Sequence, residues 1–239
     1  MDKNICMDFI KETSYLSGKE IDPPELAEEF PPLPDIISEP VILPGFDHDD
    51  SLLGVISQRR SKRNFEDKSI TLVQLSKLCW GTQGETGRIG QTVLRAVASA
   101  GNRHPLNTYI LVNRIEELLP GLYFYDSCKN SIGPLRLGKL GDELAEACLG
   151  QKMVETCSAV FIWTAATART TSRYRARGYR YIFLDAGHIG AQMQLLCVDL
   201  GLGSCNIAAF LDDKVGEFLG IKHKNEIPVY ITVVGWPKN

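Results

Sequence analysis

No two cysteines in this chain stand as C-x-x-C, and no cysteine–histidine spacing matches a zinc or iron–sulfur site. The seven cysteines, at positions 6, 79, 128, 148, 157, 197 and 205, are odd in number. They read as reduced thiols of a cytoplasmic protein, and no metal is expected. The N-terminus, MDKNICMDFIKETSYLSGKE, has neither a basic n-region nor an unbroken apolar h-region, which argues against export. Asp185, His188, Gln192, Gln194 and Asp199 interrupt the longest apolar stretch, so no run approaches the roughly 18 apolar residues of a membrane span. No P-loop, Ser/His/Asp order or paired carboxylates stand out, and no G-x-G-x-x-G follows a strand. Hydrolase, kinase and Rossmann-type readings therefore lack a motif. A net charge of −3 speaks against a general nucleic-acid binder.

What is present is uneven. Residues 1–50 carry 13 acidic and 3 basic side chains, leaving 23 basic against 16 acidic in the remainder. The body is thus basic, which suits an anionic ligand, although an arm that merely happens to be acidic explains the asymmetry as well. Seven of the twelve prolines fall between Pro23 and Pro44. They prevent a long helix there and favour extended polyproline-type structure. We divide the chain into a proline-rich acidic arm, 1–50, docked through residues such as Phe30, Leu33 and Ile36, and one body, 51–239.

Within the body, an amphipathic helix is expected after an Asp49 or Asp50 cap, through Leu52, Leu53, Val55 and Ile56. Thr71-x-x-Gln74 reads as a capping box before Leu72, Leu75, Leu78 and Trp80, with Gly81 as terminator. Gly84 to Gly90 reads as a glycine-rich loop. Strands are expected at 108–112, 122–125, 135–137, 159–163 and 229–234, and helices at 140–148 and 212–219. Between Ile182 and Leu200 apolar residues occupy nearly every face, which marks a buried central helix that Gly201 ends and in which His188 faces the core. Irregular alternation of helices and strands, without βαβ repeats, predicts an α+β layer fold.

Four groups of residues can carry chemistry. Arg59, Arg60, Ser61 and Arg63 place three guanidiniums and a hydroxyl within five positions. Guanidinium matches phosphate oxygens in bidentate geometry, so the cluster is either a phosphate site or a solvated basic turn. Ser99, Ala100, Gly101 and Asn102 are small enough for the backbone to approach a flat ring, or to make a tight turn before a strand. Gly203 and Ser204 follow the central helix and would leave backbone N–H groups free for a ligand. Arg169, Arg173, Arg177 and Arg180, spaced 4, 4 and 3 apart, would share one helical stripe that wants acidic partners: the arm's carboxylates, a nicotinamide cofactor's phosphates or an anionic substrate. Beside that stripe, Tyr174 is a candidate proton donor.

Taken in order, these segments resemble the nitroreductase superfamily of flavin enzymes, and within it the SagB-type, azoline-dehydrogenase branch. Carrying the likeness are Arg59 to Arg63, Ser99 to Pro105, Pro120 to Tyr125, Tyr179 to His188, Gly201 to Ser204 and Val233 to Gly235. The resemblance implies a mostly antiparallel sheet packed by helices, and a homodimer that binds FMN at the subunit interface. It places Arg59, Arg60, Ser61 and Arg63 on the phosphate and ribityl side, Ser99, Ala100 and Gly101 near the ring, and Gly203 and Ser204 at the edge of the pocket. It further implies hydride transfer from NADH or NADPH through the flavin to a small organic acceptor, with Tyr174 as the catalytic candidate. Two alternatives accompany it: a dehydrogenase of azoline heterocycles in a modified peptide, and a non-catalytic flavin-binding or scaffold subunit. Azoline oxidases of this branch tend to carry Lys-Tyr where this chain has Arg173-Tyr174, and a permanently protonated arginine cannot be that base.

Overall fold

The computed structural model describes residues 3–20, 52–221 and 226–238. The expected docking of Pro23 to Pro44 and the aspartate cap before Leu52 lie outside the described residues. The N-terminal residues that are described form a helix, α1 (Lys3–Thr13), which the sequence reading did not foresee. After it, Tyr15 bridges Leu211, and Ser17 donates its N–H and hydroxyl to Asp213.

In chain order the body comprises α2 (Leu52–Gln58), α3 (Leu72–Gln83), β1 (Glu85–Ile89), β2 (Thr92–Arg95), β3 (Leu106–Val112), β4 (Gly121–Asp126) and β5 (Ser131–Leu137). There follow α4 (Gly141–Ala147), α5 (Met153–Thr156), β6 (Ala159–Ala166), α6 (Ala168–Tyr174), α7 (Gly178–Asp199), β7 (Gly203–Ile207), α8 (Asp212–Leu219) and β8 (Glu226–Gly235). Six strands make one sheet in the order β5-β4-β3-β6-β8-β7, every neighbouring pair antiparallel. β6 reads AVFIWTAA without polar alternation because both its faces are covered. Successive side chains point to opposite sides: Phe161 and Trp163 join the core under α3 and α7, while Val160 and Ile162 join the core under α4, α5 and α8. The sheet is therefore the middle of three layers.

α3 begins with the capping box read from the sequence, Gln74 N–H donating to Thr71 Oγ1 at 3.1 Å and Thr71 N–H to Gln74 Oε1 at 2.9 Å. It does not stop at Gly81. That glycine presents bare backbone to Leu196 of α7, and the helix continues to Gln83. The stretch from Gly84 to Gly90 is not a loop either, but supplies β1 of a hairpin that turns at Gly90 (φ 59°) and closes on β2.

α7 runs for 22 residues, about 33 Å at 1.5 Å per residue. One side buries Ile182, Asp185, Ala186, Ile189, Met193 and Cys197. The other exposes Phe183, Leu184, Gly187, His188 and Ala191. His188 therefore points away from the core, contrary to expectation. Apolar residues on both sides of the helix hid from the sequence which side faces the sheet. Gly201 takes the left-handed conformation expected of it, φ 69°. The arginine stripe is also broken: Arg175 sits at φ 51°, ψ −140° between α6 and a 3-10 turn, so Arg169 to Arg180 do not share one helix.

Candidate functional site

The arginine cluster is anchored by its backbone, and its guanidiniums make no ion pair among the described residues. Ser61 forms a parallel bridge to Ser204, and Lys62 N–H donates to Ser204 O at 2.9 Å. Phe65 is buried and bridges Pro237, and Glu66 N–H donates to Trp236 O. Residues 61–66 thus run along β7 and the chain that follows β8. The fit is close at Gly203, where a Cβ would lie 2.9 Å from the Cβ atoms of Lys62 and Pro237. Gly203 and Ser204 are consequently not a free loop: they open β7, pair with Gly235 and Val234, and hold the arginine segment in place.

Arg60, Ser61 and Arg63 are exposed, and Arg59 is half-buried. Arg60 Nη1 donates to the carbonyls of Ser57 and Arg59 at 3.1 and 2.7 Å. Among the described residues no ion pair reaches any of the three guanidiniums. Three like charges held within five positions and facing outward form a donor set suited to a phosphate dianion.

A second group forms where the loop before β3 meets α7. The Asp185 carboxylate, 3% exposed, accepts from Ser99 Oγ at 2.6 Å and from Ala100 N–H at 3.2 Å. Ser99 Oγ in turn accepts from His104 N–H at 2.9 Å. Gly101 adopts φ 57°, ψ 26° and packs beneath Tyr174, whose hydroxyl lies 2.3 Å from where a Cβ at 101 would stand. Tyr174 meets Tyr181 edge-on at 4.9 Å, and the Arg173 guanidinium lies over its ring at 5.4 Å. Ser99 and Ala100 are thereby tied to an aspartate that the sequence marks only as a break in an apolar helix, and Tyr174 joins them by packing at Gly101. A carboxylate on the inner face of a buried helix needs partners, and that requirement was the available signal.

Asn206 on β7 packs at Gly190, five residues beyond Asp185, and Ser204 lies two residues farther. His104, half-buried beside the second group, has its imidazole pushed down to about 4 by burial and by the charge on Arg95. No cluster of three or more potential metal ligands occurs among the described residues, and no helix among them is long and apolar enough to cross a membrane.

An antiparallel sheet between two helical layers, edged by an arginine-rich segment, defines the class to which comparison with known proteins points. Residues 56–236 match the nitroreductase family, and the chain belongs to it. It is 34% identical over 181 residues to MJ1384 of Methanocaldococcus jannaschii, a protein assigned to the nitroreductases, covering 76% of this chain and 88% of that one. The trifolitoxin-processing protein TfxB of Rhizobium leguminosarum bv. trifolii is 30% identical over 118 residues, 47% of this chain and 32% of its own length. In fold, the chain matches the E. coli microcin synthetase complex McbBCD, solved with truncated pro-MccB17 bound, at TM-score 0.70 and 16% identity over 99% of this chain and 93% of that one. A structure from Anabaena variabilis described as a nitroreductase gives TM-score 0.69 at 31% identity, covering 78% of this chain and 38% of that one.

Proposed function

We propose that this chain is an FMN-dependent oxidoreductase that passes hydride from NADH or NADPH to a small organic acceptor in the cytoplasm. The observation that carries the reading is the outward-facing trio Arg59, Arg60 and Arg63, fixed by the Ser61–Ser204 bridge and without an acidic partner among the described residues. These guanidiniums and the Ser61 hydroxyl would hold the flavin phosphate, with Gly203 and Ser204 positioning the segment. Bound flavin would supply the hydride-accepting centre, so the protein's own task is to bind, orient and shield it. Ser99, Ala100 and Gly101, tied down by Asp185, would present backbone to the ring. Tyr174, its hydroxyl against Gly101, would be the proton donor. The exposed stripe Phe183, Leu184, Gly187 and Ala191 of α7 would be covered by a second copy of the chain. Small residues in that stripe let two helices approach closely, which supports a homodimer.

The purified protein should be yellow and release FMN on denaturation. Arg59→Ala with Arg63→Ala should cut FMN affinity at least tenfold, each lost charge-assisted hydrogen bond being worth about 1.5–3 kcal/mol. Unchanged flavin occupancy in that double variant would remove the phosphate assignment.

A second reading rests on the TfxB likeness and the McbBCD fold: oxidation of a heterocycle in a modified peptide. Arg173 stacks on Tyr174 and stays protonated, so the proton beside the departing hydride would need another base. Anaerobic reduction of the bound flavin by an azoline peptide, but not by NADH or NADPH, would favour this reading. Flavin that no donor reduces would instead indicate a scaffold subunit.

A further inference from the structure

A cavity of about 600 Å³ opens between the β1–β2 hairpin, the end of α3 and the outer ends of β3 and β4. The flavin reading makes no use of it. Three arginines, Arg95, Arg103 and Arg169, line it. Arg95 uses Nη1 to donate to Gln83 O at 3.0 Å and to Ser127 Oγ, while Arg169 uses Nη1 toward His104 O at 3.3 Å and Asn107 Oδ1 at 3.0 Å. These contacts fix the Arg95 and Arg169 guanidiniums by one edge and leave their other N–H groups, and the whole Arg103 guanidinium, without a hydrogen-bond partner among the described residues. No ion pair reaches any of the three among the described residues, and Glu85, paired across the hairpin with Arg95, feels its charge while bonding to Arg88. Asp126, the one acid among the lining residues, accepts from Cys128 N–H at 3.0 Å and Lys129 N–H at 3.3 Å and pairs with the Lys129 ammonium at 3.7 Å. Arg95 is half-buried and Arg103 and Arg169 are exposed, and guanidiniums around a concave space, two of them held by one edge, are well prepared for an anion.

We propose that this cavity is a binding site for a small oxyanion ligand, a phosphate monoester or a free carboxylate, held by Arg95 and Arg169 with Arg103 at the rim. It is distinct from the Arg59–Arg63 segment, which lies on β7 at the far edge of the sheet, whereas the cavity lies on the β3–β4 side. Its wall is shared with the loop carrying Ser99 to Gly101, since Asn102 donates to Val93 O at 2.7 Å and its Oδ1 meets the His104 ring at 2.6 Å. An anion there would therefore brace the same loop from behind. His104 carries none of the positive charge near neutral pH, because burial and Arg95 hold it neutral down to about pH 4. The arginines alone supply it.

The test is calorimetric titration of the full-length protein, preincubated with FMN, using inorganic phosphate, 2′,5′-ADP and citrate as probes. At least one probe should bind, and its identity tells phosphate from carboxylate. Arg95→Gln with Arg169→Gln should weaken that probe at least tenfold. Arg59→Ala with Arg63→Ala should leave it within twofold. Should the arginine pair fail to fold, Ser127→Glu, which places a carboxylate beside Arg95, should abolish binding by internal competition. The proposal is overturned if no probe binds at millimolar concentration, if the cavity variants bind as wild type does, or if only the Arg59/Arg63 variant loses binding. Failure to retain FMN would count against the proposed redox function and leave this measurement intact.

Discussion

Replacing Asp185 isolates what holds the small-residue loop in place. The carboxylate is 3% exposed and accepts two hydrogen bonds from that loop, one from a hydroxyl at 2.6 Å and one from a backbone N–H at 3.2 Å. Hydrogen bonds to a charged group contribute about 1.5–3 kcal/mol each, and part of this sum is offset because a buried carboxylate is itself costly. Asp185→Ala should therefore destabilise the protein by about 2–4 kcal/mol and leave the Ala100 N–H unsatisfied. Asp185→Asn keeps the shape and one acceptor oxygen but turns a donor toward the other partner, so it should cost about half as much. At roughly 2–4 °C per kcal/mol for a chain of this size, calorimetry resolves the two. Hydrogen exchange should localise the effect, with residues 96–104 losing protection first and most in the alanine variant. If Asp185→Ala stays within about 0.5 kcal/mol of wild type and residues 96–104 exchange no faster, the carboxylate does not fix this loop, and the link between α7 and the small-residue loop fails.

Gly101→Ala should cost about 1–2 kcal/mol for its left-handed backbone and more for the overlap with the Tyr174 hydroxyl, so Tyr174→Phe should recover part of the loss in a double-mutant cycle; additive effects would contradict the contact. His104, held at about 4 against an ordinary 6.5, binds fewer protons folded than unfolded, so it makes stability fall as pH drops from about 6.5 to about 4. Asp212 works the other way. Burial raises it from 3.8 to about 6, so the folded state binds more protons and stability rises as pH falls across that window. Chemical unfolding of His104→Gln should show a gain toward pH 4 relative to wild type, and that of Asp212→Asn a gain toward pH 7; the reverse slopes would refute the burial of these groups.

Local signals with a self-contained cause survived the passage from sequence to structure. Thr71 and Gln74 satisfy each other wherever that helix is placed, and the helix expected at 212–219 forms over Asp212–Leu219 and ends at the left-handed Gly220. β6 was legible because an eight-residue apolar strand has only one environment to occupy. What could not be read depended on partners far away in the chain. Glu85 to Ile89 holds one aliphatic residue and two charges, and becomes a strand only through Thr92–Arg95. His188 was assigned inward because α7 is apolar on both sides, and only the sheet decides which side is interior. The site divides likewise. The arginine segment was visible as composition, whereas Asp185 and the Arg95–Arg169 cavity arise from residues 74 or more positions apart that folding brings to one loop.

The bridge between Ser61 and Ser204 has a consequence for handling as well as for binding. β7 is the last strand of its sheet, and a bare outer strand is a template for intermolecular stacking and precipitation. The segment bearing the guanidiniums lies across that margin and occupies a carbonyl that a foreign strand would otherwise recruit. Deleting it would uncover a sticky border at the same moment as it removed the cations, and poor yield would then masquerade as a chemical defect. Side-chain truncation, which spares the main chain, keeps the two effects apart.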